Sequence, residues 1–481
     1  MRSTCRHDTR DAFAHFDSIT YNKGASVLKQ LAHFVGDEAF QRGVRRYLRE
    51  FSGKTTRLDD FVAALTASSG LDLAAWSREW LFTAGVNTFA VAPSCDGGQL
   101  RALTIAQSAS EEQPRLRTHR VQLGLYGIDD SGAVTTLETL PVTVSGAETT
   151  VDLPDGLPCP QLVYPNTGDW GYARVLLDAQ TAAQLVDHIG AVTDPLQRSM
   201  FWQSLWDMAR DAALPLQEFL GLALRELDSE ADERVVSLVL DRVAQGVVTL
   251  KRGLPASNAL LDEYVGPLES LLWRRAQSAE DTTTRMLWFD AYLDIVHTEA
   301  GLARLPGAAG ALALDVRRQW QTQIVLATYG AGDSEAGVEA LLAEGQSDYA
   351  QRKAMVARAA LPEAAVKDRW LTRLHEGDDL TLAQARDVML YLFPAHQAAL
   401  TERYAGRVLD ALPALTGERN DAYLRAYNRL LPKRCTPVIG ERLDAAIGLG
   451  EALHPESLRA LRVHRQEQQI CTRMLERAGA S

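Results

Sequence analysis

Among the residues of this sequence, a single phenol is the one best suited to assist a reaction. Tyr21 stands in HFDSITYNKGASVLKQL, residues 15–31, behind Phe16 and Ile19 and ahead of Lys23–Gly24 and an apolar helical run. A tyrosine hydroxyl is neutral at pH 7 and stays a hydrogen-bond donor. Held in place, it can donate to the oxyanion that forms when water attacks an amide carbonyl, which is electrostatic stabilisation of a developing charge. A phenol near the start of a helix also suits plain packing, with its ring buried and its hydroxyl bonded.

An oxyanion donor needs an activated water beside it, and the ten histidines do not provide one. None is followed by Glu and then by a second His four positions on, the spacing that places two imidazoles on one helical face for zinc. His375–Glu376 begins that pattern, but Asp379 stands where the second histidine belongs and Gly377 weakens a helix there, so a polar turn is expected. No GxSxG, P-loop or GxGxxG occurs. Trp202, Trp206, Trp273 and Trp288 are expected in the core. In LRALRVHRQ, residues 458–466, the neighbours Arg459, Arg462 and His464 are expected on a solvated helix face.

The chain around these residues is long and acidic. Its 481 residues are too many for one core and suggest about three units. A net charge of −12 argues against a nucleic-acid partner, which calls for a surplus of Lys and Arg on one face. The five cysteines, Cys5, Cys95, Cys159, Cys435 and Cys471, are scattered and odd in number, so no disulfide framework and no zinc site are expected, and a reducing cytosol fits. The opening MRSTCRHDTRDAFAHF has no apolar core of a signal peptide, and no apolar run is long enough to span a bilayer.

Three periodicities succeed one another. Residues 16–84 read as helices, with Val27, Leu28, Leu31 and Phe34, then Phe40, Val44, Tyr47 and Leu48, at helical spacing. Gly36 and Gly53 punctuate them, Thr56 and Asp59 form a capping-box pair, and Leu73, Trp76, Trp80 and Leu81 share a face. From about Val86, short runs rich in Val, Thr, Leu and Ile alternate with turns such as DGG, DDSG and PDG, which indicates an antiparallel β-sandwich. From about residue 178 the pattern is helical to the end, as in ERVVSLVLDRVAQGVVTL and TRMLWFDAYLDIV, and so long a succession of amphipathic helices points to an irregular α-solenoid.

The segment FDSITYNKGASVLKQL resembles one in the M1 family of zinc aminopeptidases, the aminopeptidase N-like enzymes, and the later segment at 194–211 resembles their actinobacterial type. In that family a tyrosine followed closely by Lys-Gly stabilises the tetrahedral intermediate, and Tyr21 matches it. The resemblance runs on through GDEAFQRGVRRYL (36–48), SGLDLAAWSREWLFTAGVNTF (69–89) and DPLQRSMFWQSLWDMARD (194–211). It implies a mainly α protein with a helical remnant of a thermolysin-like catalytic domain at 1–86, a β-sandwich at 87–173 and a HEAT/ARM-like helical domain at 174–481.

The family's HExxH motif, its further zinc-binding Glu and its Gly-rich exopeptidase loop would all stand before Tyr21. The twenty residues there contain none of them, and Lys54 replaces an Asn common in the family. The resemblance therefore implies the C-terminal portion of an enzyme that removes N-terminal amino acids from peptides. Zinc belongs to the full-length family enzyme, while this chain alone is expected to bind none and to be inactive. Peptides are the implied substrates, with no nucleic acid or membrane as partner and the cytoplasm as location. The alternatives are a non-catalytic peptide- or protein-binding scaffold, or one half of a split aminopeptidase completed by a chain carrying the zinc lobe.

Overall fold

The computed structural model describes residues 23–255 and 258–479. The chain divides into two compact units between Met208 and Ala209.

The first unit opens with helices Gly24–Val35, Asp37–Phe51, Leu58–Ser69 and Leu73–Leu81. Their apolar stripes meet in one cluster of Val27, Leu31, Leu65, Leu73, Trp76 and Trp80. The second and third helices approach closely at Gly43, where an added Cβ would fall 2.6 Å from the Leu65 side chain. Two local expectations change. The helix cap is one residue later than Thr56, for Asp60 accepts from the Arg57 N–H at 2.8 Å while Thr56 Oγ1 bonds the Tyr47 hydroxyl at 2.7 Å. Leu81 is 41% exposed although Leu73, Trp76 and Trp80 are buried, because it lies about 80° round the helix from Leu73.

At Asn87 the period changes to two. Strands β1 (Asn87–Asp96), β2 (Gln99–Ala109), β5 (Glu148–Thr150) and β7 (Ala173–Leu176) form a sheet in the order β5-β2-β1-β7. Strands β3 (His119–Ile128), β4 (Val134–Val144) and β6 (Leu162–Tyr164) form a second in the order β4-β3-β6. Alternate residues of both sheets, among them Phe89, Val91, Leu103 and Ile105 from the first and Val121, Leu123, Leu140 and Val142 from the second, share one hydrophobic core. The DGG turn joins β1 to β2, with Gly97 and Gly98 at φ +56° and +75°, values that close a two-residue hairpin. An all-antiparallel arrangement was expected, but β7 runs parallel to β1, with Asn87 opposite Ala173 and Ala90 opposite Leu176. The chain reaches β7 only after crossing to the second sheet, so no hairpin dictates its direction.

The cysteine expectation is corrected outright. Cys95 is bonded to Cys159 and Cys435 to Cys471, across separations of 64 and 36 residues and with Cα atoms 5.7 Å apart in each pair. Pairing at such separations leaves no local spacing to read, and an odd total hides it further. Among the described residues no helix is long and apolar enough to cross a membrane.

The second unit is helical. The segments ERVVSLVLDRVAQGVVTL and TRMLWFDAYLDIV lie in helices Glu233–Gly253 and Thr282–Ile295, each started by an Asp side chain, Asp232 or Asp281, that accepts from a first-turn N–H. Helix Val316–Tyr329 packs on Asp348–Ala360, that one on Leu382–Tyr391, and that on Asp421–Tyr427. Small residues make such stacking close: Ala350, Ala354, Ala357, Ala359 and Ala360 are all buried in this layer. Of the four tryptophans expected in the core, Trp202 and Trp206 of the first unit and Trp288 of the second are buried, while Trp273 is half-buried.

Candidate functional site

Tyr21 lies outside the described residues. Its neighbours at Lys23–Gly24 enter helix Gly24–Val35, which is fixed against the strands by several contacts. Lys29 Nζ sits 3.0 Å from the Asp169 carboxylate and 5.3 Å over the Trp170 ring, while His33 stacks on the same ring at 4.4 Å. Gln30 Oε1 accepts from the Tyr172 N–H at 2.9 Å, and the Arg120 guanidinium donates to the Phe34 carbonyl. Lys23 Nζ donates to the Thr83 carbonyl at 3.4 Å and stands 5.8 Å over the Tyr172 ring. Burial and the nearby Arg117 hold its ammonium below the usual lysine range.

Beneath that helix is a buried polar knot. Arg117, 2% exposed, donates to the carbonyls of Glu79 and Ala84, to Thr83 Oγ1 at 2.8 Å and to Asn87 Oδ1 at 3.3 Å. His119 Nε2 is 3.3 Å from the same Asn87 oxygen, and its ring meets Trp80 and Phe89 edge-on. Burial and Arg117 push its pKa down to about 3, so it is a neutral packing residue rather than an acid or a base.

The second unit contains the larger recess, which the sequence did not disclose. A cavity of about 320 Å³ adjoins one of about 690 Å³, and Thr328, Tyr329 and His396 line both. Tyr329 ends helix Val316–Tyr329 and donates from its hydroxyl to the Val296 carbonyl at 2.8 Å. His396 comes from the FPAHQ turn and lies on the Tyr329 ring. Its Nε2 is 3.0 Å from the Thr328 carbonyl, so Nε2 carries the proton and Nδ1 is the acceptor. Burial and Lys251 push its pKa down to about 3.

Lys251, from the last turn of helix Glu233–Gly253, donates to the Ile295 and Val296 carbonyls at 2.8 and 3.0 Å. It thereby satisfies the open C-terminus of helix Thr282–Ile295. Lys367 does the same for helix Asp348–Ala360, donating to Ala359 and Ala360 at 3.1 and 3.0 Å. Burial lowers the two lysines to about 8 and about 7. Asp294, facing the smaller cavity, is raised to about 6 by burial and by Asp290 and Asp241. The walls thus offer an anion, cations and aromatic faces, but among the described residues no nucleophile stands hydrogen-bonded to a base there.

The remaining sequence candidates separate. Arg459 and Arg462 are exposed on helix Pro455–Arg477, as expected, whereas His464 turns toward Arg252 and Lys433. His375 is in a helix rather than a turn, with Nε2 2.8 Å from the Tyr427 hydroxyl, and the chain turns only at Gly377. Among the described residues no group of three His, Cys, Asp or Glu side chains converges as a metal ion requires, so their donor sets do not fit zinc.

Residues 162–467 match the model of the ERAP1-like C-terminal domain, and residues 3–80 match that of the peptidase family M1 domain. An aminopeptidase N of Streptomyces lividans is 34% identical over 433 residues, which cover 86% of this chain and 49% of that protein. The chain thus spans about half the length of that relative. Tricorn protease-interacting factor F2 of Thermoplasma volcanium is 22% identical over 295 residues, 60% of this chain and 34% of the other. The crystal structure of Legionella pneumophila aminopeptidase A in complex with aspartic acid is similar in fold, with a TM-score of 0.59 and 15% identity, over 94% of this chain and 57% of that one.

Proposed function

Because the chain belongs to the M1 peptidase family, with an ERAP1-like C-terminal domain over residues 162–467, we propose that it is the peptide-handling portion of an aminopeptidase N-like zinc metallopeptidase. The observation that carries this reading is the M1 match over residues 3–80, which takes in Tyr21-Asn22-Lys23-Gly24. In it, the Tyr21 hydroxyl donates to the oxyanion of an N-terminal peptide bond under attack, and removal of the N-terminal residue follows. Residues 1–86 are the helical remnant of the catalytic domain, 87–173 a β-sandwich, and 174–481 a solenoid of HEAT/ARM type. The shared core of the two sheets and the helix-on-helix stacking from Val316 to Tyr427 support those assignments.

Zinc is the metal of the family's reaction, yet no His-Glu-x-x-His occurs in these 481 residues. By itself the chain therefore does not hydrolyse peptides, and its own part is the tyrosine donor and the binding surfaces. The cavity beside Tyr329 favours a second reading, a peptide- or protein-binding scaffold without catalysis, because its walls recognise without cleaving. The two disulfides favour an oxidising compartment over the cytoplasm suggested by the cysteine count.

Aminoacyl arylamide hydrolysis tests the proposal. The purified chain with added zinc should give no turnover, and activity that survives repurification and vanishes with chelator would overturn this. Joined to a polypeptide bearing the family's zinc motif, it should become active, and Tyr21→Phe should then lower kcat by roughly 10²–10³. An unchanged kcat in that variant would remove Tyr21 from the reaction and leave the scaffold reading.

A further inference from the structure

In the second unit, a separate small pocket of about 110 Å³ is bounded by Arg252, Lys433, His464 and Glu467 and backed by the Cys435–Cys471 bridge. It lies at the end of helix Glu233–Gly253, on one flank of helix Pro455–Arg477. Its chemistry is unbalanced. Arg252 Nε is buried and has no acceptor among the described residues. Lys433 makes no hydrogen bond or ion pair among them. The one carboxylate present, Glu467, is engaged 2.7 Å from Arg210. Two partly buried cations side by side are costly unless an anion joins them.

His464 adds selectivity. Its Nδ1 is buried with no partner among the described residues. In the Nε2–H tautomer that nitrogen presents a lone pair into the pocket. An ion suited to this pocket accepts from Arg252 and Lys433 and donates one proton to His464. The volume suits a small ion and is well below that of ordinary pockets for nucleotides or peptides.

We propose that this pocket is a binding site for free hydrogen phosphate, held by Arg252 and Lys433 through its oxygens and by His464 Nδ1 through its P–OH. The electrostatics agree. Burial, with Arg252 and Arg429, lowers Lys433 to about 8, and burial with Lys433 and Arg252 lowers His464 to about 4, so the imidazole is neutral and able to accept at pH 7. Sulfate has the same size and shape but no proton to donate at that pH.

Isothermal calorimetry on the whole chain at pH 7 and constant ionic strength tests this with inorganic phosphate, sulfate, acetate and O-phosphoserine. Phosphate should bind at one site and raise Tm, with sulfate and acetate at least about tenfold weaker. Lys433→Met, at a partly exposed position, should weaken phosphate by about tenfold or more while remaining folded by circular dichroism. Arg252→Met should do the same wherever it folds. Equal binding of sulfate and phosphate, or no binding at millimolar phosphate, would overturn the assignment. Tighter binding of O-phosphoserine than of phosphate would overturn the choice of a free ion.

Discussion

His396 lies flat on Tyr329, with ring centroids 3.6 Å apart and planes 4° from parallel. The pair lines both cavities of the helical unit, and each side chain is hydrogen-bonded to a backbone carbonyl. Tyr329→Phe should keep the stack but remove the hydroxyl that donates to Val296. That carbonyl retains Lys251, so a loss of about 1 kcal/mol is expected in urea unfolding. His396→Ala should merge the cavities and change peptide binding while leaving the fold intact. Because its pKa is pushed down to about 3, wild-type binding should show no titration of this ring between pH 5 and 8.

The buried lysines set a pH dependence of the same sense as acid denaturation, but on the alkaline side of neutrality. Lys367 is 0% exposed and lowered to about 7, and Lys251 is lowered to about 8, both from 10.5. Between those values and 10.5 the unfolded chain holds protons that the folded chain has released. Stability therefore rises with pH across that window, and the cost of the charged forms is fully present below it. Lys367→Met should abolish its share of the slope, as read from denaturant midpoints between pH 7 and 10. It should also lower stability by about 2–3 kcal/mol at pH 9, since two helix-end carbonyls lose their donor.

Asp294 acts in the other direction. Raised from 3.8 to about 6, it should make stability fall as pH rises from about 4 through 6. The side chain is open to cavity water, so screening keeps the effect small. Asp294→Asn should flatten that part of the pH–stability curve without lowering Tm at pH 7.

Thiol titration is decisive for the bridges. Denatured without reductant, the protein should react as one thiol of its five cysteines, because the other four are paired. In the chain-entropy account, loops of 64 and 36 residues contribute about 4 kcal/mol each, so reduction should lower Tm markedly. Five reactive thiols would contradict the pairing.

Arg117→Met should be among the most damaging single changes in the first unit. It strips donors from the carbonyls of Glu79 and Ala84, from Thr83 and from Asn87 together, all within the join between helix Leu73–Leu81 and β1. A loss of about 3–5 kcal/mol is expected, with the helices of residues 24–81 exchanging amide hydrogens fastest.

What could be read before folding was whatever depends on near neighbours. The change of period near Val86 marks the first strand, which begins at Asn87, and Gly36 lies where the first helix ends. Cap chemistry was legible to within one residue, because Thr56 found a better partner in Tyr47 than in its own helix. The candidate sites were not. Lys251, Asp294, Tyr329 and His396 come from different helices and turns spread over 145 positions, and each alone resembles an ordinary core or surface residue. Arg252, Lys433 and His464 are likewise joined only by the fold. Tyr21 could be singled out only through its surrounding segment, and it remains outside the described residues.

The parallel pairing of β7 with β1 has a mechanical consequence. The strand region begins with β1 and closes with β7, and these two lie side by side over Asn87–Ala90 and Ala173–Leu176. Tension drawing the chain before Asn87 away from the chain after Leu176 would pull the two strands past each other along their length. Their hydrogen bonds would then bear the load together instead of opening one at a time from an end, as in a hairpin pulled apart. Such a joint resists stretching along the chain more than peeling. A single-molecule pull on the ends of this region should meet one abrupt rupture rather than a stepwise opening.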